Sequence, residues 1–129
     1  MSNQTAKAKI LYMDDDPLMC KFVFLAFDRQ GLQVRTASNG QEGVEMALEW
    51  LPDLILIDLM MPIMDGFQAT EALRIDPRTQ QIPIVAYTAD AEASTHAKAL
   101  AAGMNGVITK AYPVVDLVRA LLAYLPSKE

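Results

Sequence analysis

Two short apolar runs in this chain end in carboxylates for which a hydrophobic core has no use. Ile10-Leu11-Tyr12-Met13 runs directly into Asp14-Asp15-Asp16, and Leu54-Ile55-Leu56-Ile57 runs into Asp58. Continuous apolar runs of this length read as strands buried on both faces, the kind found in parallel sheets. In open α/β sheets, ligands bind in the crevice outside the carboxyl ends of the strands. If the two strands are neighbours, Asp14, Asp15 and Asp58 meet in one pocket, where each raises the cost of ionising the others. A bound cation, or a reactive role for one carboxylate, resolves that repulsion. The blander alternative makes Asp14 to Asp16 caps of the next helix and Asp58 the start of a turn.

The rest of the chain repeats the same grammar five times. Strand one is read as Lys9 to Met13, and Asp16-Pro17 as an N-cap followed by proline at the first helical position. Helix one carries Leu18, Phe22 and Leu25 at helical spacing and ends at Gly31. Gln33 to Ala37 is strand two. Asn39 caps helix two, whose apolar face is Val44, Ala47, Leu48 and Leu51, and Pro52 stops it. Asp53 to Asp58 is strand three; a turn-rich loop from Met60 to Gly66 then leads into helix three, which runs through Arg74. Ile82 to Thr88 is strand four, Asp90 to Ala102 an alanine-rich helix four, Asn105 to Thr109 strand five and Pro113 to Leu125 helix five. Five βα units with short connections imply a doubly wound parallel sheet, and five strands favour the flavodoxin-like order 2-1-3-4-5. That order sets strands one and three side by side.

The 129 residues fit one domain, 1–129, with a core of about 8–125, and 52% hydrophobic residues are enough to fill it. A net charge of −5 without a Lys/Arg cluster argues against direct nucleic-acid binding. No apolar stretch reaches transmembrane length, and Met1 to Lys9 is too polar for a signal peptide. The single Cys20 excludes an internal disulfide and suits a reducing compartment, so the expected location is cytoplasmic. Met1-Ser2-Asn3 reads as a natural start, and nothing after Leu125 is long enough to be an output domain. Cys20 and Trp50 read as packing residues, His96 as an exposed helix residue, and Met60, Met61 and Met64 as packing over strand three.

Two further polar groups fall at strand ends on the same rim: Thr88 closes strand four and Lys110 follows strand five. Carboxylates, a hydroxyl and an ammonium together suit a transferred phosphoryl group, which needs positioning and charge neutralisation more than covalent help. A hard divalent ion such as Mg²⁺ prefers oxygen ligands of this kind.

These stretches resemble the receiver domain of the bacterial two-component response regulators, and of chemotaxis regulators in particular. The resemblance is carried by Ile10 to Pro17, Pro52 to Asp58, Met61-Pro62-Ile63-Met64-Asp65-Gly66, Pro83 to Ala89 and Ala102-Gly103-Met104-Asn105-Gly106. It implies that Asp58 accepts a phosphoryl group from the phosphohistidine of a histidine kinase or phosphotransfer protein. It implies that Asp14, Asp15, Asp58 and the backbone carbonyl of Met60 hold Mg²⁺, and that Thr88 and Lys110 bind the phosphoryl oxygens. Asp16 maps outside the metal shell. Such a domain is a signalling switch toward an output protein rather than an enzyme, and it can pair with a second copy through helices four and five.

Two residues depart from the pattern. Lys110 is followed by Ala111 where receivers usually have a cis-joined proline, so the following loop is expected to take another path. Val107 stands three residues before the lysine, where receivers usually carry Tyr or Phe. These departures suggest an alternative, a degenerate receiver that binds partners without phosphorylation; the intact acids, Thr88 and Lys110 count against it. A haloacid-dehalogenase-type phosphatase would use the Asp-x-Asp of Asp14 to Asp16, but the cap and downstream acidic pair of that family are missing.

Overall fold

The computed structural model describes residues 7–125; the start at Met1-Ser2-Asn3 lies outside them. Five strands, β1 (Lys9–Met13), β2 (Gln33–Ala37), β3 (Leu54–Ile57), β4 (Ile84–Thr88) and β5 (Gly106–Thr109), form one parallel sheet in the order β2-β1-β3-β4-β5. The helices are α1 (Pro17–Arg29), α2 (Gly40–Trp50), α3 (Gly66–Arg74), α4 (Ala93–Ala102) and α5 (Leu117–Leu122), with a 3₁₀ turn at Val114–Asp116 before α5. This is the flavodoxin-like topology expected from the alternation of runs.

Register carries the consequence for function. β1 pairs with β3 from Ile10↔Leu54 to Met13↔Ile57, so Asp14 and Asp58 leave the sheet side by side. Side chains alternate between two cores. Leu11, Met13, Ile55 and Ile57 pack toward α2, α3 and α4, while Ile10, Tyr12, Leu54 and Leu56 pack toward α1 and α5 with Val23, Phe27, Leu117 and Leu121.

Local chemistry accounts for the differences at element ends. β4 begins at Ile84 rather than Ile82, because Pro83 has no N–H to offer and serves only as acceptor for Ile55 N. α4 begins at Ala93 rather than Asp90. The Asp90 carboxylate instead accepts from the Glu92 N–H and the Thr95 hydroxyl, a side-chain turn that competes with the helix. β5 starts at Gly106, although Asn105 N still donates to Ile84 O. α5 is shorter than its apolar pattern: it enters through the 3₁₀ turn, and Tyr124 and Leu125 close with i→i−3 bonds to Leu121 and Leu122.

Two helix faces also differ from expectation. On α1, Leu18, Phe22 and Leu25 are exposed (58%, 50% and 45%), and the buried stripe is Val23 and Phe27 with Met19, Cys20 and Ala26 beside it. The helix carries two apolar stripes at the same spacing, and the one that meets the sheet is set by the direction of β1. On α2, Gly40, Gly43 and Ala47 form the buried face, while Leu51 is an exposed C-cap with φ 54°.

One side chain unmarked by any motif ties the lower half together. Arg74, at the end of α3, donates to the carbonyls of Gly103 (2.8 Å), Ile82 (2.8 Å) and Gln80 (3.1 Å) and to Asn105 Oδ1 (2.9 Å). Its planar fork is suited to several carbonyls at once, which a lysine could not match.

Candidate functional site

The carboxyl edge of the sheet gathers the groups that the strand ends announced. Asp14 follows β1 and Asp58 follows β3, and both are buried; Asp15 turns outward and is exposed. Asp14, Asp15 and Asp58 each offer a carboxylate oxygen within 4.8 Å of the others. Asp16 does not join them: its side chain caps α1 by accepting from Leu18 N. Three carboxylates on one small volume are a hard-oxygen donor set, and they fit a Mg²⁺-type ion that keeps several waters.

Lys110, reached from β5, spans the two buried acids. Its Nζ donates to Asp14 Oδ2 at 3.0 Å and to Asp58 Oδ2 at 3.4 Å. Burial alone would lower the ammonium's pKa, but the hydrogen bonds and charges of Asp14 and Asp58 outweigh it and hold the pKa above the usual lysine value. Asp58 is shifted upward too, but for a carboxyl this disfavours the charged form. Burial and the neighbouring Asp14 charge raise its pKa from the ordinary carboxylate value, against the opposing pull of Lys110 and of the Met60 N–H.

Thr88 ends β4 on the same rim, buried, with its Oγ1 accepting from Asp90 N at 3.1 Å. The β3–α3 loop is fitted closely beneath Asp58. Gly66 N donates to Leu59 O, and a Cβ at Gly66 would stand 2.6 Å from Asp58 O, so only glycine allows this approach. Exposed Ile63 sits at φ 70°, a conformation that β-branched residues rarely adopt. Met61 is buried and Met64 half-buried against the first core, while Met60 is exposed.

The two departures have visible outcomes. The described residues contain no cis peptide bond, and the loop after Lys110 is held instead by the Tyr87 hydroxyl donating to Tyr112 O at 2.9 Å. Val107 packs against the first core opposite Ala86. Cys20 is half-buried with its thiol donating to Asp14 O at 3.2 Å, and burial with the nearby Asp14 charge pushes its pKa up to about 11, which disfavours the reactive thiolate. His96 is exposed, and Trp50 lies half-buried with Lys9 and Arg35 over its ring. Sequence reasoning missed Tyr12, whose buried hydroxyl donates to Asp14 Oδ2 at 2.5 Å. Its signal was the i, i+2 spacing that puts a hydroxyl and a carboxylate on one strand face.

Comparison with known proteins agrees with this geometry. A family model of the response regulator receiver domain matches residues 10–122. The chain is 36% identical over 117 residues to the DNA-binding dual master transcriptional regulator RpaA of Synechocystis, covering 88% of this chain and 48% of RpaA. It is therefore about half the length of that relative. It is 32% identical over 118 residues to protein PilH of Pseudomonas aeruginosa, covering 92% of this chain and 98% of PilH. Among solved structures, the receiver domain of the Pseudomonas aeruginosa sensor histidine kinase PA1611, with a magnesium ion coordinated in its active-site cleft, superposes with a TM-score of 0.86 at 30% identity. That match covers 95% of this chain and all of the other.

The raised pKa of Asp58 makes a prediction. A carboxyl whose pKa rises on folding destabilises the fold when ionised, and this cost is fully present above its folded pKa. Without divalent ions at neutral pH, Asp58→Asn should therefore raise the melting temperature. The gain should shrink as pH falls through the folded pKa toward the ordinary carboxylate range, because wild-type Asp58 is then neutral too. Thermal unfolding in chelator across pH 4 to 8, a range about the carboxylate pKa values, checks both the sign and the trend.

Proposed function

Because this chain belongs to the response regulator receiver domain family, a family of signalling domains in two-component systems, we propose that Asp58 is its phosphoacceptor. The observation that carries the reading is the buried Asp14–Lys110–Asp58 arrangement at the end of two paired strands. A carboxylate oxygen of Asp58 attacks the phosphorus of a phosphohistidine on a histidine kinase or phosphotransfer protein. A P–O bond forms, the P–N bond breaks, and its electron pair leaves with the imidazole, which takes up a proton. Lys110 meets the charge on the phosphoryl oxygens, and the Thr88 hydroxyl donates to one of them. Asp14, Asp15, Asp58 and the Met60 carbonyl would hold Mg²⁺, which supplies further charge neutralisation when bound.

The product is a mixed anhydride that water slowly hydrolyses, restoring the Asp58 carboxylate and releasing inorganic phosphate, so the expected turnover is weak self-dephosphorylation. The same reading puts the protein in the cytoplasm and gives it an output protein as partner. No helix of the described residues is long and apolar enough to cross a membrane. A second copy is a further candidate partner through α4 and α5, where Leu100 and Leu122 are exposed.

The switch should run through the β4–α4 loop. In the free protein the Thr88 hydroxyl oxygen accepts from Asp90 N, so a Thr88 that turns toward phosphoryl oxygens releases that bond. Val107 offers no large ring to follow it. A ligand shifts two states only by its differential contacts with them, so the signal depends on this loop.

Two measurements test these statements. With Mg²⁺ and acetyl phosphate, intact mass should rise by one phosphoryl group, and Asp58→Asn should abolish the rise because an amide is a poor nucleophile. Phosphate turnover that survives Asp58→Asn would favour the phosphatase alternative. On phosphorylation, hydrogen exchange should quicken at the Asp90 amide and the 89–93 loop. A change confined to residues 106–109 would contradict the route.

A further inference from the structure

Tyr12 is buried completely (0% exposed), yet it spends a hydroxyl on the site. Residues i and i+2 of a strand share a face, so Tyr12 and Asp14 lie one above the other on the α1/α5 side of β1. The ring packs with the second core, which includes Val23, Phe27, Leu56, Tyr87 and Leu117. Phenylalanine would fill that space equally well, so packing does not explain the hydroxyl.

The donors to Asp14 explain it. Asp14 is 1% exposed, so its oxygens depend on protein partners. Oδ1 accepts from Asp16 N at 2.9 Å, and Oδ2 accepts from both the Tyr12 hydroxyl at 2.5 Å and Lys110 Nζ at 3.0 Å. Lys110 is thus closer to Asp14 than to Asp58, the residue whose phosphoryl oxygens it must meet. If Lys110 were the sole donor to Oδ2, its departure would strand a buried charged acceptor, and the ammonium would be held back. We propose that Tyr12 is a positioning residue for phosphoryl transfer: its hydroxyl keeps Asp14 Oδ2 satisfied, so that Lys110 is free to leave for the phosphoryl group on Asp58. Asp14 and Tyr12 form the fixed part of the site, and Lys110 is the part that moves.

This inference rests on the phosphoacceptor reading of Asp58, and the test separates the two. Failure of the wild-type protein to take up a phosphoryl group from acetyl phosphate overturns that reading and the inference with it. Given wild-type uptake, Tyr12→Phe deletes the hydroxyl and keeps the ring. At saturating Mg²⁺ its phosphorylation rate should fall about tenfold, the size of one hydrogen bond to a charged group. Its Mg²⁺ affinity, measured by calorimetry without phosphodonor, should not weaken. In a Lys110→Ala background the same substitution should leave the already slow rate unchanged, since there is no ammonium left to release. A parallel loss of rate and Mg²⁺ affinity, an equal loss in both backgrounds, or an unchanged rate in the single variant would overturn the proposal. Should Tyr12→Phe fail to fold, the wild-type protein still decides. The buried hydroxyl proton of Tyr12 should give a slowly exchanging NMR resonance both with and without Mg²⁺ and beryllium fluoride, and its loss on adding them would overturn the idea.

Discussion

The ammonium of Lys110, shared between two buried carboxylates, is the interaction on which the rest of this structure turns. Asp14 and Asp58 emerge from paired strands, and their register leaves no means of separating them. Like charges so placed each disfavour the other's ionisation, and burial adds to the cost. One lysine offsets part of it: the two acids favour its charged form, while burial and Asp14 keep the Asp58 pKa raised against its pull. A fold selected for stability alone would have little reason to retain such a cluster; a phosphoryl-accepting site needs one. Under the proposed function the acids would provide nucleophile and metal ligands, and the lysine a charge that can change partners.

The surroundings hold the acids and leave the lysine room. Asp14 is fixed by the Asp16 N–H and the Tyr12 hydroxyl, and the backbone at Asp58 is set by the close approach of Gly66. The path of the chain beyond Lys110 is secured by Tyr87 through Tyr112 O rather than by a proline next to the lysine. The Thr88 backbone is held by β5, but its hydroxyl accepts from Asp90 N, in a loop whose residues 89–92 are exposed. Rigid acids and releasable donors are what a reversible switch requires, because small movements at the site then have a defined direction.

Much of this was legible in the sequence. Apolar runs ending in Asp14 and Asp58, with Thr88 and Lys110 closing later strands, were sufficient to place the site, since parallel strands deliver their carboxyl ends to one edge. Other features were not legible, for physical reasons. Leu18, Phe22 and Leu25 match a helical stripe as well as Met19, Val23 and Ala26 do, and only the direction of the strand decides which stripe is buried. Arg74 looks like any basic residue at a helix C-terminus until the loops that it joins are brought together. Tyr12 reads as one more apolar strand residue, because a tyrosine's ring and its hydroxyl answer to different neighbours. Helix ends also escaped, at Asp90 and after Leu122, where side-chain turns and i→i−3 bonds compete locally with the apolar pattern.

The central claim, that Lys110 exchanges Asp14 for a phosphoryl group on Asp58 while the acids stay in place, is open to direct observation. A crystal structure of the protein with Mg²⁺ and beryllium fluoride should show the fluoride adduct on an Asp58 carboxylate oxygen. Lys110 Nζ should be hydrogen-bonded to a fluoride and drawn off Asp14 Oδ2, with Asp14 itself unmoved. An adduct on another carboxylate, or a Lys110 that still bridges Asp14 while the fluoride lies unbound by it, would contradict the account.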